Sequence, residues 1–211
     1  FTTENVEGLS ILRIQNEDFL DKKTGQYKIS NIRAEVMGLD LIQEYCRTNN
    51  LQKVLDLPST SSALSEKIKF TQKHPPYIGE NRETSKPLKP VDFQDFNFRV
   101  SYQYEKDFYP HSEVGKKTLS NWLDSKKIFR YINRVRLRHP DYPVFLDVSI
   151  VKGSTKTNRK VPIPQFTVQE ANLFQNEESY EVELEVDNSR VGPGSDYASL
   201  EKLVGVIRQN I

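Results

Sequence analysis

The sequence predicts an α+β protein, mainly antiparallel β, curled into a barrel with a hydrophilic lumen and covered by a few helices. Three observations predict it. Several segments alternate apolar and polar side chains with a period of two, as strands do. On the strongest of these the polar residues carry a single sign of charge. Three other stretches space their apolar residues as helices do.

Residues 11–15 and 29–36 read as the first two strands, joined through a turn at Asp21…Gly25. Residues 37–48 carry Leu39, Ile42, Tyr45 and Cys46 at helical spacing. Residues 54–64 are ambiguous, with Ser59 to Ser62 marking a loop. A strand is expected over 65–72 and an exposed, proline-rich loop over 74–90. Another strand follows over 96–105, then a short helix over 116–125 around Leu119, Trp122 and Leu123. Residues 129–139 and 144–152 form a hairpin about the turn His139-Pro-Asp-Tyr-Pro143. A polar loop spans 153–160, and a short helix or strand spans 166–173. Residues 180–186 are the clearest strand. After Gly192-Pro-Gly194, Leu200, Leu203, Val204 and Ile207 mark a last helix.

The 211 residues hold 30 basic and 29 acidic groups, a net charge of +1, so bulk electrostatics argue against a general nucleic-acid coat. Any bound anion needs positive charge concentrated locally. The single cysteine, Cys46, excludes an internal disulfide framework and a cysteine-rich zinc site, and makes a reducing, cytoplasmic setting the default. His74, His111 and His139 lack metal-ligand spacing. No apolar run has the length of a membrane span.

Alternation puts Glu181, Glu183 and Glu185 on one face of their strand, opposite Tyr180, Val182, Leu184 and Val186. Neighbouring carboxylates on such a face stand roughly 7 Å apart and repel unless water screens them or cations bind them. A second strand sets Arg134, Arg136 and Arg138 together. Others pair Lys67 with Lys69, Arg99 with Ser101, and Asp147 with Ser149. The first hairpin adds Arg13, Arg33 and Glu35. A solvent face is served by serine and threonine, whereas blocks of one sign on separate strands fit faces that look at each other across a lumen. A conventional sandwich with charged surfaces is the alternative. Clustered carboxylates hold hard cations such as Mg²⁺ or Mn²⁺, and arginines and lysines neutralise phosphate, so together they fit phosphoryl transfer from a polyphosphate. No P-loop, Gly-x-Ser-x-Gly or His-Glu-x-x-His motif competes. Cys46 falls in an apolar helical pattern, which argues against a cysteine phosphatase.

At Tyr-Glu-Val-Glu-Leu-Glu-Val186 the chain resembles the triphosphate tunnel metalloenzymes, and within them the RNA 5′-triphosphatase domains of mRNA capping enzymes from large and giant DNA viruses. Further similar segments are Leu-Arg-Ile-Gln-Asn16, Ser-Asn-Ile-Arg33, Asn-Phe-Arg-Val-Ser-Tyr-Gln103, Phe-Arg-Tyr-Ile-Asn-Arg134 and Leu-Asp-Val-Ser-Ile-Val-Lys152. The resemblance implies a tunnel barrel over 1–211 that removes the γ-phosphate of nascent transcripts with Mg²⁺ or Mn²⁺. It implies Glu185 as a metal ligand, Glu183 holding a metal-bound or attacking water, and Glu181 bracing a basic residue or the water network. Asp147 would organise the metal's surroundings, and Arg99, Arg134 and Arg136 would take phosphate, with Lys67, Lys69 and Lys152 as further candidates. It also implies 5′-triphosphate RNA as partner, guanylyltransferase and methyltransferase domains further along a longer chain, and a place in the host cytoplasm or virion.

The chain departs from that pattern in two ways. The family's early Glu-x-Glu strand is not found, Glu35 standing alone, and is expected upstream of Phe1. Phe145 stands where a basic residue is usual two before Asp147, and the basic pair reads Arg134-Val-Arg136, with a shifted register from Asn133 as an alternative. A non-catalytic module binding triphosphate RNA and a nucleotide or polyphosphate hydrolase are the rival functions.

Overall fold

The computed structural model describes residues 6–21, 26–58, 67–78, 85–197, 199, 201–202, 204–205 and 208. Its centre is one antiparallel sheet in the spatial order β12-β11-β10-β1-β3-β4-β9, with β2 hanging from the far half of β1. These strands are β1 (Val6–Asp21), β2 (Gln26–Ile29), β3 (Ile32–Met37), β4 (Ile68–His74), β9 (Tyr104–Phe108), β10 (Lys127–Arg138), β11 (Val144–Gly153) and β12 (Glu178–Val186). The sheet curls into a half-barrel with helices on its outer side, the expected α+β class. Among the described residues its path ends at β12 and β9.

The curl is tied to one long strand. β1 runs for 16 residues, far beyond the expected 11–15. Its near half pairs with β10 along Val6 to Asn16 and its middle with β3. Its far half pairs with β2, the register slipping between Glu17 and Phe19. Such a bulge bends a strand and strengthens its twist.

The outer face buries Leu12, Ile14, Ala34, Val36, Ile68, Phe70 and Phe129. Against it lie α1 (Leu39–Thr48) and α2 (Leu51–Leu55), which contribute Leu41, Ile42, Tyr45, Leu51 and Val54. Gly38 opens α1 at a φ of 97°, a region that costs most side chains dearly. Asn49 closes α1 in the left-handed conformation, donating its backbone N–H to Tyr45 O, and Asn50 caps α2 through its side chain. Tyr45 packs edge-on to Trp122 at 6.2 Å, and Trp122 is buried in the core. Lys127 is buried beneath that indole and donates to Ser125 O at 2.6 Å. Burial pushes its amine down to about 8.

Several elements differ from the sequence reading. The strand expected over 96–105 is two: β8 (Phe98–Val100), which among the described residues pairs only with β7 (Val91–Phe93) in a ribbon, and β9 in the main sheet. A 3-10 turn at Gln94–Phe96, left-handed at Asn97, folds β8 back on β7. The proline-rich loop contains a second small ribbon, β5 (Tyr77–Ile78) with β6 (Lys86–Pro87). The helix expected over 116–125 is α3 (Glu113–Ser120), capped by Ser112. Residues 166–173 form turns around buried Val168, Ala171 and Leu173. The turn at 22–25, the loop at 59–62, and Leu200, Leu203 and Ile207 lie outside the described residues. Among the described residues no helix is long and apolar enough to cross a membrane.

Candidate metal and phosphate site

Cross-strand partners point to the same side of a sheet, so the register alone assembles the inner face. Arg136 pairs with Asp147 and Asp147 with Glu183. Arg134 pairs with Ser149 and Ser149 with Glu181. The acidic strand and the basic strand therefore do not face each other across a lumen, as the sequence reading had them. They flank β11, and the arginines reach over it to the glutamates.

The result is a ladder. Arg130 donates to Glu181. Arg134, 3% exposed, donates to Ser149 Oγ at 2.9 Å, to Asp147 Oδ2 at 2.6 Å and to Glu183. Arg136 grips Asp147 through two bonds, at 2.7 and 2.6 Å, and reaches Glu185 at 2.9 Å. Arg138 holds Asp187 at 2.8 Å. The Arg136 and Arg138 guanidiniums both lie over the Phe145 ring, 4.5 and 4.8 Å from its centre. The ring thus holds the basic residues in line at the position where a basic residue was expected. The bond to Asp147, helped by the charges of Asp147 and Glu185, raises Arg136 further above its ordinary value.

Asp147 is fully buried beneath these arginines. One carboxylate oxygen from each of Asp147, Glu183 and Glu185 lies within 4.8 Å of the others. Hard divalent cations take oxygen donors at about 2.0–2.6 Å, so this set can close on Mg²⁺ or Mn²⁺ once Arg134 and Arg136 release the Asp147 oxygens they hold. Glu183 Oε1 and Glu185 Oε1 have no protein hydrogen bond among the described residues, and both side chains are nearly half exposed. The donor set fits such an ion.

A second network continues along the same face through β1, β3, β4 and β9. Buried Glu35 accepts from Arg13 at 2.8 Å, with Arg33 at 2.8 Å and Lys69 at 3.8 Å. Asp107 accepts from Lys69 and from the Thr71 hydroxyl, both at 2.7 Å, and Glu105 pairs with Lys73. Four cations here meet three carboxylates. Burial lowers the Arg33 guanidinium, more than Glu35 restores it. Pairing with Lys73 and the nearby arginines holds Glu105 below the usual carboxylate range despite its partial burial.

The structure thus gathers Glu181, Glu183, Glu185, Asp147, Arg134 and Arg136, and puts Lys69 on the same face. Lys67 lies at the rim, 3.9 Å from Asp40. Two predicted residues stand elsewhere. Arg99 is on the β7–β8 ribbon, clasped by Asp92 at 2.6 and 3.0 Å. Lys152 points to the outer face, with its amine on Phe174 O at 3.0 Å. Arg130, Lys73, Glu105 and Asp107 were not foreseen as site residues, although Tyr-Glu-Lys-Asp-Phe108 carries the alternation that marks the last two. Burial raises the Cys46 thiol, the opposite of what a thiolate nucleophile needs.

These observations define a class: a curled antiparallel sheet whose inner face joins a carboxylate triad to a band of cations. No protein-family model matches the sequence, and no curated protein matches it either. Among solved structures the chain is similar to the mimivirus capping enzyme triphosphatase, at 13% identity and a TM-score of 0.51 over 99% of this chain and 76% of that one. A triclinic structure of the mimivirus triphosphatase gives 13% identity and 0.49, over 97% and 73%. The RNA triphosphatase domain of a trifunctional mimivirus mRNA capping enzyme gives 12% and 0.48, over 96% and 72%. The first likeness shows that this chain has the fold of a capping-enzyme triphosphatase domain.

Proposed function

We propose that this protein is a divalent-cation-dependent RNA 5′-triphosphatase, hydrolysing the γ-phosphate of nascent transcripts as the first step of cap formation. The observation that carries the reading is the triad of Asp147, Glu183 and Glu185, within 4.8 Å and bordered by Arg134 and Arg136 on one face of the half-barrel. The fold shared with the mimivirus triphosphatase supports it.

In this reading Glu185, with Asp147 and Glu183, holds Mg²⁺ or Mn²⁺. The ion supplies Lewis-acid polarisation of the phosphoryl oxygens when bound. Arg134 and Arg136 turn from their carboxylates to the γ- and β-phosphates, stabilising charge that spreads over them as the bond to the leaving oxygen breaks. Glu183 orients the attacking water and takes its proton. Glu181 fixes Arg130. Lys69, with Arg13 and Arg33, takes the phosphates nearer the RNA chain, and Lys67 guards the rim. Inorganic phosphate leaves, and the 5′-diphosphate end passes to a guanylyltransferase, on the same longer chain and in the cytoplasm.

One observation favours a second reading. The arginines already satisfy Asp147 completely and hold both glutamates, which suits a module that binds triphosphate RNA without cleaving it. Phosphate release from γ-labelled triphosphate RNA with Mg²⁺ or Mn²⁺ separates the two. Hydrolysis that Glu185→Ala abolishes supports catalysis; binding without release supports the second reading. Equal release by both proteins contradicts the metal assignment. ATP and tripolyphosphate in place of RNA test whether the substrate is a free nucleotide or polyphosphate.

A further inference from the structure

The edge strand β9 carries two chemistries on its two faces. Its acidic residues, Glu105 and Asp107, turn inward to Lys73 and Lys69. Its other residues turn outward: Tyr104 beside His74, Lys106 beside Gln72, and Phe108 beside buried Phe70. At one end Phe70 and Phe108 join the core packed under the helices. Beyond it the rings of Tyr102, Tyr104 and His74 form a chain, each step 5.5 Å between centres. Tyr102 and Tyr104 are about half exposed, and Tyr77, three residues past His74, is 64% exposed. Lys106 lies over the Phe108 ring, and Lys86 stands in register with Ile78 on the neighbouring ribbon.

Tyr102 and Tyr104, in ring contact with each other and, through Tyr104, with His74, make a continuous aromatic edge that faces solvent. The charge around them narrows the choice of occupant. The outward positions of β4 and β9 in this region, Gln72, His74, Tyr104 and Lys106, include no carboxylate, because both acids of β9 are drawn to the inner face. Exposed ring faces with cations at their margin are what single-stranded nucleic acid requires: bases stack on the rings while lysines neutralise phosphates. The inner face leads there. From Asp147 on β11 to β9 is five strand steps, about 24 Å across the sheet, and the registers set Tyr104 roughly 35 Å further along the strands, an interval that several nucleotides span. Arg134, Arg13, Arg33, Lys69 and Lys73 line it on either side of the apolar patch of Ile11, Ile132 and Val151, and a nucleic-acid chain following them then turns over the β9 edge to the outward-facing rings.

Resting on the proposed triphosphatase reading and deepening it, we propose that the Tyr102–Tyr104–His74 edge is a stacking platform for the single-stranded RNA that trails the triphosphate. The platform takes bases without hydrogen-bond readout, so it is indifferent to sequence. It gives the protein a preference for a polynucleotide over a free nucleotide.

The test is fluorescence anisotropy of the protein with labelled single-stranded oligouridylate bearing a 5′-hydroxyl, in the absence of divalent cation. Neither triphosphate nor metal then takes part, so the result stands apart from hydrolysis by the wild type and Glu185→Ala. The longer oligomer is expected to bind more tightly than a dinucleotide. Tyr102→Ala/Tyr104→Ala is expected to weaken it about tenfold or more, as removal of base–aromatic stacking does. Tyr102→Phe/Tyr104→Phe, which keeps the rings, is expected to restore it. Lys106→Ala should reduce the slope of log affinity against log salt by about 0.7. Thermal melts of the variants, matching wild type, exclude misfolding. Affinity independent of length, or an alanine variant that binds like wild type, overturns the proposal. So does a change in the sedimentation of the RNA-free protein on removing the tyrosines, which would mark a protein contact.

Discussion

Replacing Arg134 by methionine removes the one side chain that ties Ser149, Asp147 and Glu183 together. Its side chain is 4% exposed and that of Asp147 wholly buried, so the pair is shielded from water and salt. Removing one partner of such a pair costs about 3–5 kcal/mol, because the other charge is left uncompensated. Here Arg136 keeps two bonds to Asp147, which puts the expected loss near the lower end, about 3 kcal/mol. Urea unfolding followed by tryptophan fluorescence suits the measurement, since Trp122 is the only tryptophan and lies in the core. With a slope of about 2 kcal/mol per molar, the midpoint should fall by roughly 1.5 M. Adding Asp147→Asn to the variant should cost far less than it does alone, and the double-mutant cycle isolates that coupling. A fall under about 1 kcal/mol, the range of exposed ion pairs, would refute the reasoning that this ladder is a buried, mutually dependent network.

Other outcomes follow from single positions. Gly115→Ala should destabilise despite alanine's better helix propensity, because a Cβ there would meet the Tyr109 and Pro110 carbonyl oxygens at 2.5 Å; thermal melting reads the loss. Lys127 is lowered by burial to about 8 from an ordinary 10.5. Between those values the unfolded chain holds a proton that the folded one lacks, so stability should rise with pH from about 8 upward. Lys127→Met should flatten that rise in urea titrations at pH 8 and 9.5. Arg136→Met should tighten Mn²⁺ binding in calorimetry, since it releases Asp147 and Glu185 from a competing cation.

The site was legible wherever alternation and register agree. Glu181, Glu183 and Glu185, like Arg134 and Arg136, share a face by simple parity, and the hairpin turn at residues 139–143 sets Asp147 opposite Arg136; the register of the glutamates on β11 comes through the long connection over residues 154–177, which local pattern does not fix. Parity also separates Lys152 from Asp147 and Ser149, and its side chain points to the other face. Arg99 was lost to two backbone events: residues 101–103 leave strand pairing and cut Phe98–Val100 off from β9, and the left-handed Asn97 turns that piece back onto β7. The partners of Glu35 were hidden for a different reason. Arg33 precedes it by two residues, but Arg13 and Lys69 reach it only through pairings across β1, β3 and β4, which local pattern does not encode. The adjacency of β1 to β10 is likewise non-local, and it is what brings the two charge networks onto one face.

The most direct test of that shared face is Mn²⁺ binding, measured with and without tripolyphosphate in wild type and in Glu183→Gln/Glu185→Gln. If carboxylates and cations act as one site, each ligand should strengthen the other's binding in the wild type, and the double variant should lose both Mn²⁺ affinity and the coupling. Mn²⁺ that binds equally well to both proteins, with no response to tripolyphosphate, would contradict the account.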